Sequence, residues 1–302
     1  MKKLILFLQF SLGCTSVMLA QNVGIGTVTP NTNALLHVDL GSSTSKGLLV
    51  TGNYSAASFV PDLGAGSRVM FYPGKAAFRA GYVAGVQWNN ANVGFFSTAL
   101  GINSIASGSY STAFGYVTIA NGDNSTAMGA STTASGTAST SMGGGTLASG
   151  NYSTALGSNT TASGDYSFAA GSSVSTNGHA GAFFFGDHDP NGKGVRYITL
   201  NDQFVTRFNG GYYLISSDAG FDLGVQVVPG GNSWSAVSDV RLKENFIPVT
   251  GESFLQKIAT MHLTSWNYKT QDPKAFRHYG PMAQEFYKDF GKDDLGSNLL
   301  KK

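Results

Sequence analysis

Two short runs hold residue types that could do chemistry at close spacing. The first is Asp187-His188-Asp189-Pro190-Asn191-Gly192, where Asp187, Asp189 and Asn191 at alternate positions would converge on a hard cation, as in the first half of a calcium-binding loop. The twelfth position is Ile198, where such a loop needs a bidentate Glu, and no helical pattern precedes it. The run therefore reads as a solvated turn that closes the preceding repeats, and neither a metal nor a cofactor is expected. The second run is Ser238-Asp239-Val240-Arg241-Leu242-Lys243-Glu244-Asn245. On residue types alone, Ser238-Asp239 is a helix or turn cap and Arg241 and Lys243 are solvated charges. Ser238 and Lys243 stand five positions apart, on opposite faces of a strand and about 140° apart on a helix, so they meet only if a turn intervenes.

The elements around these runs are dominated by a repeat. Residues 97 to 180 are six copies of a 14-residue unit, from STALGINSIASGSY to the degenerate SFAAGSSVSTNGHA. Glycine recurs at half the period, at Gly101 and Gly108, Gly115 and Gly122, and onward to Gly171 and Gly178. Seven residues make one short strand and one tight turn, and glycine at such a corner supplies positive φ and room for close backbones. The expected fold is mainly β: a parallel β-roll with two strands per coil, six coils spanning roughly 29 Å. Alanine holds one phase of both strands, at Ala99, Ala113, Ala127, Ala155 and Ala169 and at Ala106, Ala120, Ala134, Ala148 and Ala162, which asks for a narrow interior. The next residue on the first strand, Leu100, Phe114, Met128, Met142 or Leu156, then points outward. An apolar stripe outside a roll with so small a core implies that copies of the chain pack along it; the alternative is a monomeric solenoid with the large row inside and alanine outside.

The repeats resemble the head repeats of trimeric autotransporter adhesins (YadA-like), with their S-x-A-x-G half-coil followed by a small-residue half-coil. The resemblance implies a left-handed parallel β-roll in a homotrimer; no membrane-anchoring β-barrel is expected at this C-terminus. Residues 22–52, opening VGIGT-x-x-P, resemble the start of bacterial fibre-like proteins, especially secreted proteins of the Bacteroidetes. Residues 53–96 read as further β-structure with aromatic positions Phe71, Tyr72, Phe78, Tyr82 and Trp88.

The run at 238–245, followed by Trp266-Asn267-Tyr268 and by His278-Tyr279-Gly280-Pro281-Met282-Ala283-Gln284-Glu285-Phe286, resembles the intramolecular chaperone domain of endosialidases, the peptidase S74 family of phage tail spikes and bacterial fibres. Asp239, Arg241, Leu242, Asn245, His278, Gly280, Ala283, Gln284 and Glu285 carry the motif. The resemblance implies a small α+β domain that trimerises the chain, guides folding of the β-rich part before it, and cuts itself off. It implies Ser238 as nucleophile, Lys243 as general base, a cut between Val237 and Ser238, and a structural His278. Chemically, a lysine serves a serine as base only when its pKa is brought from about 10.4 toward 7. Burial in a trimer and the charge of Arg241 favour that, and Glu244 opposes it. Family members continue into a long coiled-coil-like helix, whereas this sequence runs DFGKDDLGSNLLKK, too short for three heptads. The domain is thus expected to be truncated.

Composition fits a secreted, extended protein. The 302 residues include 40 glycines and only 12% charged residues. No basic residue lies between Arg79 and Lys193, which excludes a phosphate-binding surface there and makes nucleic acid a poor partner. The N-terminal MKKLILFLQFSLGCTSVMLAQ reads as a signal peptide cut after Ala20 rather than a transmembrane anchor, because Gln9, Ser11, Gly13 and Thr15 interrupt it. Its removal takes away Cys14, the only cysteine, and leaves 17 basic against 17 acidic residues.

The expected division is a signal peptide at 1–20, a β-rich cap or neck at 21–96, the β-roll at 97–186, a β-rich connector at 187–231 and the S74 domain at 232–302. The expected function is a secreted or surface homotrimeric fibre, adhesin-like, whose only enzymatic activity is serine autoproteolysis before Ser238. The alternative is a non-cleaving structural protein or an adhesin that binds a glycan or a host or matrix surface through the roll, with a vestigial chaperone domain. A glycan-cleaving spike would need paired carboxylates about 5 to 10 Å apart. The repeats offer only Asp123 and Asp165, three coils or about 14 Å apart.

Overall fold

The computed structural model describes residues 23–42, 47–188, 192–217, 223–236 and 240–291. The signal peptide, Cys14, Asp189, Asn191, Val237, Ser238, Asp239 and the tail after Gly291 lie outside them. The chain forms two compact units, residues 1–210 and 211–302.

The first unit is a parallel β-roll. Each repeat contributes a five-residue strand, as at Thr98–Ile102, Thr112–Tyr116 and Thr126–Ala130, and a two-residue strand, as at Ile105–Ala106 and Ile119–Ala120. Equivalent residues of successive repeats pair in parallel, for example Ala99↔Ala113 and Leu100↔Phe114, then Ala113↔Ala127 and Phe114↔Met128. The short strands do the same, with Ala106↔Ala120 and Ala120↔Ala134. The half-coils are therefore unequal, and the roll has one wide sheet and one narrow one.

Strands outside the repeats join both sheets. The hairpin Gly66–Tyr72 and Ala77–Val83 is antiparallel, and its second strand runs parallel to Thr98–Ile102. At the other end Phe183–Gly186 and Phe204–Arg207 extend the wide sheet to ten strands, and Arg196–Tyr197 extends the narrow one to seven.

The interior is as small as the sequence implies. Alanines of both columns, from Ala99 and Ala106 to Ala162 and Ala169, are fully buried, while Phe114 of the large row is 49% exposed and Met142 37%. Alanine lies inside and the large row outside, which excludes the inverted solenoid. Beside the alanines run buried hydroxyl columns, Ser97, Ser111, Ser125, Ser139 and Ser153 on one side and Ser104, Thr118, Thr132, Thr146 and Thr160 on the other. The Ser97 and Ser111 hydroxyls donate to the carbonyls of Gly94 and Gly108, both at 2.6 Å. A buried methyl contributes only about 0.8 kcal/mol, so the register of the coils is held chiefly by their hydrogen-bond ladders.

The glycines meet both expected needs on the wide strand and only one of them on the narrow half. Those of the wide strand, such as Gly129 with φ of 118°, do take positive φ, but those of the narrow half from Gly108 to Gly164, such as Gly122, do not. What both share is proximity: a Cβ on Gly122 or Gly129 would lie 2.1 Å from the carbonyl oxygen of the matching glycine one coil on. The true left-handed corners fall two residues later and carry side chains, including Asn103, Val117, Ser131 and Asn159 at one corner and Tyr110, Asn124, Ala138 and Tyr152 at the other. The amide of each is held by the coil before, as in Val117 N to Ile102 O and Tyr152 N to Thr137 O, both 2.8 Å. That bond over-determines a conformation that otherwise costs a non-glycine residue about 1–3 kcal/mol.

The second unit contains a three-stranded antiparallel sheet, Tyr212–Ser217, Leu223–Val227 and Ser235–Ala236, then helix α1 (Gly251–Thr260), a two-stranded ribbon of Thr264–Trp266 and His278–Gly280, and helix α2 (Ala283–Phe290). Among its described residues only Gly291 is buried.

Candidate functional site

The motif residues of the second unit fall on three elements. Val240–Leu242 is a single 3-10 turn, closed by Lys243 N donating to Val240 O at 3.1 Å. A turn thus does lie between positions 238 and 243. Arg241 and Lys243 are exposed, and Asn245 follows with φ of 61°, the left-handed conformation that asparagine tolerates better than most residues. Ser238 and Asp239 precede this turn, outside the described residues, as does the Val237 side of the expected cut.

His278 and Gly280 belong to the ribbon. His278 pairs with Trp266 in register and stacks on its indole, with ring centroids 4.5 Å apart and planes 22° from parallel. Tyr268 meets the same imidazole edge-on at 5.7 Å, and Nε2 of His278 lies 3.2 Å from Oε1 of Gln271. The imidazole thus packs against two aromatic residues of the motif, Trp266 stacked on it and Tyr268 at its edge. Gly280 pairs with Thr264, and the chain passes at once into α2.

Ala283, Gln284 and Glu285 form the first turn of α2, where a carboxylate is favoured by the helix dipole. Ala283 and Gln284, with Trp266, Tyr268, Met282 and Phe286, line a groove of 560 Å³. Glu285 faces a second groove of 390 Å³ that also includes His262 and Lys288. Its Oε2 is shielded from solvent yet accepts no hydrogen bond among the described residues. The two helices are joined by Lys257, whose Nζ donates to Asp289 O at 2.9 Å and sits 5.8 and 5.5 Å from the rings of Phe254 and Phe290.

Two cations that sequence reasoning passed over terminate the roll. Arg79, fully buried, continues the alanine column through its register with Ala99. Its guanidinium donates to the carbonyls of Phe78, Ser97 and Ala106 and to Ser97 Oγ, all within 2.8–2.9 Å. Burial pushes its pKa down to about 10, which still leaves it charged at neutral pH. Lys75 beside it donates to Asn90 O and Val93 O, and burial, then the charge of Arg79, hold its pKa below the usual lysine value. The available signal was the strand Ala77-Phe78-Arg79-Ala80-Gly81-Tyr82-Val83, where Arg79 shares its phase with Ala77 and Val83 and not with the exposed Phe78 and Tyr82. Asp187 of the calcium-like run is instead taken up by Arg207, with Nε to Oδ1 at 3.1 Å, and by Asn209. No group of metal-ligating residues occurs among the described residues.

Comparison with known families matches both regions. Residues 94–117, 120–146 and 148–173 match the YadA head domain repeat, and residues 238–293 match Peptidase_S74, the chaperone of endosialidase. No curated protein matches the chain. The chain therefore carries YadA-type head repeats in its β-roll and a peptidase S74 domain after it. This pairing points to an adhesin-like or tail-fibre-like protein, secreted or at a surface. No helix among the described residues is long and apolar enough to cross a membrane.

Proposed function

We infer that the protein is a secreted or cell-surface homotrimeric fibre with an adhesin-like head, and that residues 232–302 guide assembly of the trimer and then detach by serine autoproteolysis. On this reading residues 1–20 are the export signal, 21–96 the cap, 97–186 the head and 187–231 the connector. The observation that carries it is the missing interior of the C-terminal unit. Phe246, Ile247, Val249, Leu255, Ile258 and Leu263 are all more than half exposed, and no large side chain of that unit is buried among the described residues. A domain with so much apolar surface and no core of its own is completed by other copies. The outward row of the roll, with Phe114 and Met142, offers a second surface for the same copies.

In the cleavage step, Ser238 Oγ attacks the Val237 carbonyl carbon while the neutral amine of Lys243 takes its proton. Collapse of the tetrahedral intermediate breaks the peptide bond, and the proton passes to the leaving amine of Ser238. Water then hydrolyses the resulting ester, leaving a carboxylate on Val237 and a free hydroxyl on Ser238. Each chain turns over once. The exposure of Lys243 in one chain makes this step depend on neighbouring copies, which would desolvate its amine.

Intact mass and sizing of the mature chain beside its Ser238→Ala variant test the reading. The expected result is a trimer broken between Val237 and Ser238 in the parent and uncut in the variant. A trimer uncut in both overturns the cleavage and leaves a structural or glycan-binding fibre with a vestigial peptidase; a monomer overturns the assembly reading as a whole.

A further inference from the structure

The interior of the roll has two mouths, and they are finished differently. Arg79 fills the N-terminal mouth, four of its hydrogen bonds going to protein oxygens. At the C-terminal mouth the alanine column continues through Phe184 and Val205, and the hydroxyl column continues through Val174 to Arg196. Beyond them Lys193, Arg196, Tyr197 and Arg207 surround an open cavity of 370 Å³, with Phe184 and Val205 against it.

Among the described residues the charges of this mouth do not cancel. Arg207 pairs with Asp187, and its Nη2 donates to the carbonyls of Ser172 and Asp187, both at 2.9 Å. Both oxygens of Asp187 are occupied, Oδ1 by Arg207 and Oδ2 by the backbone and side-chain nitrogens of Asn209. A cavity lined by a lysine and two arginines, and by no carboxylate among the described residues, favours an oxyanion.

We propose that the C-terminal mouth of the roll binds the carboxylate or sulfate of an acidic saccharide. The cavity lies at the small end of ligand-sized sites, suited to one charged sugar and part of its neighbour. Tyr197, 58% exposed beside the cations, gives a ring face for the apolar side of a pyranose. The site rests on the reading of the roll as an adhesive head and is independent of the cleavage chemistry.

The test is calorimetric titration of the mature full-length chain with four probes: a glucuronate-containing oligosaccharide, a sulfated heparin-derived oligosaccharide, a neutral oligosaccharide of equal length, and inorganic sulfate. At least one acidic oligosaccharide binds, weakening with added salt, and the neutral one does not. The tighter of the two acidic probes identifies carboxylate or sulfate as the group read. The double variant Lys193→Gln/Arg196→Gln, both side chains exposed and outside the Asp187 network, loses on the order of tenfold or more in affinity with its melting temperature unchanged. Equal binding of the neutral probe, affinity unchanged in the double variant, or inorganic sulfate binding as well as either oligosaccharide overturns the proposal. A trimeric, self-cleaved protein that ignores every probe overturns it too and leaves the fibre reading standing.

Discussion

The roll and the C-terminal unit solve the problem of a small core in opposite ways. In the roll a single chain buries a continuous interior, because each coil lays its backbone on the one before and pairs residue with residue at a spacing of fourteen. In the C-terminal unit two helices and two small sheets leave their apolar residues in solvent, and only Gly291 among the described residues is buried. The first is specified by backbone proximity; the second leaves apolar faces open, which on the proposed reading other copies cover. A substitution that separates two coils should therefore act within one chain, whereas one that alters an apolar face of the second unit should act through assembly.

The largest effect expected from that contrast is at a wide-strand glycine. Gly129→Val places a Cβ 2.1 Å from the Gly143 carbonyl oxygen, at φ of 118°, against backbone and with no flexible side chain to yield. A loss of about 3–5 kcal/mol is expected, read as a lower denaturant midpoint or failure to fold. Gly144→Ala is the control: one position past Gly143, the counterpart of Gly129 in the next coil, its Cβ meets nothing within 4 Å, and a change below about 0.5 kcal/mol is expected. Equal damage at both positions would show that close coil approach is not what the glycines protect.

How far the sequence disclosed this depended on the kind of constraint. The alanine columns and the outward stripe were legible, because a repeat of fourteen samples the same interior six times and leaves its phase in plain view. The reason for the glycines was legible in part, since close approach and positive φ both select glycine and only coordinates separate Gly122 from Gly129. The corners were hidden: Val117 and Tyr110 in the left-handed region follow no residue preference, because the bond to the previous coil imposes the conformation. In the C-terminal unit the motif residues announced themselves through family resemblance. The packing of Trp266 on His278 and the clamp of Lys257 on α2 did not, being contacts between segments that no local period records.

A second, intermediate effect tests whether the roll's ends matter as much as its coils. Arg79→Ala removes the plug of the N-terminal mouth and takes the second donor from the carbonyls of Ser97 and Ala106, which keep the amides of Phe78 and Gly94. A loss of about 2–4 kcal/mol is expected, because truncating a large, fully buried side chain to alanine leaves a cavity and removes its hydrogen bonds. Hydrogen exchange should place the damage in Thr98–Ala106 and leave the coils beyond residue 140 protected, since each coil touches chiefly its neighbours. Uniform loss of protection along the roll would instead mean that the stack opens as one unit, and that its ends are no weaker than its middle.

The smallest effect is expected at Lys257, and it bears on what little the C-terminal unit does hold within one chain. The Nζ of Lys257 donates to the carbonyl of Asp289 near the end of α2, where the helix dipole favours a cation. It also lies over Phe254 and Phe290, whose rings are 5.3 Å apart. All of these groups are solvent-accessible, so each contact is worth a fraction of its buried value, and Lys257→Ala should cost about 1 kcal/mol. If the two helices are joined mainly by this clamp, the change appears as faster exchange of α2 amides with the assembly state unchanged by sizing. If neighbouring copies hold α2 instead, Lys257→Ala leaves those amides as protected as before, and the comparison sharpens: the C-terminal unit would then owe its helix pairing, as well as its missing core, to assembly.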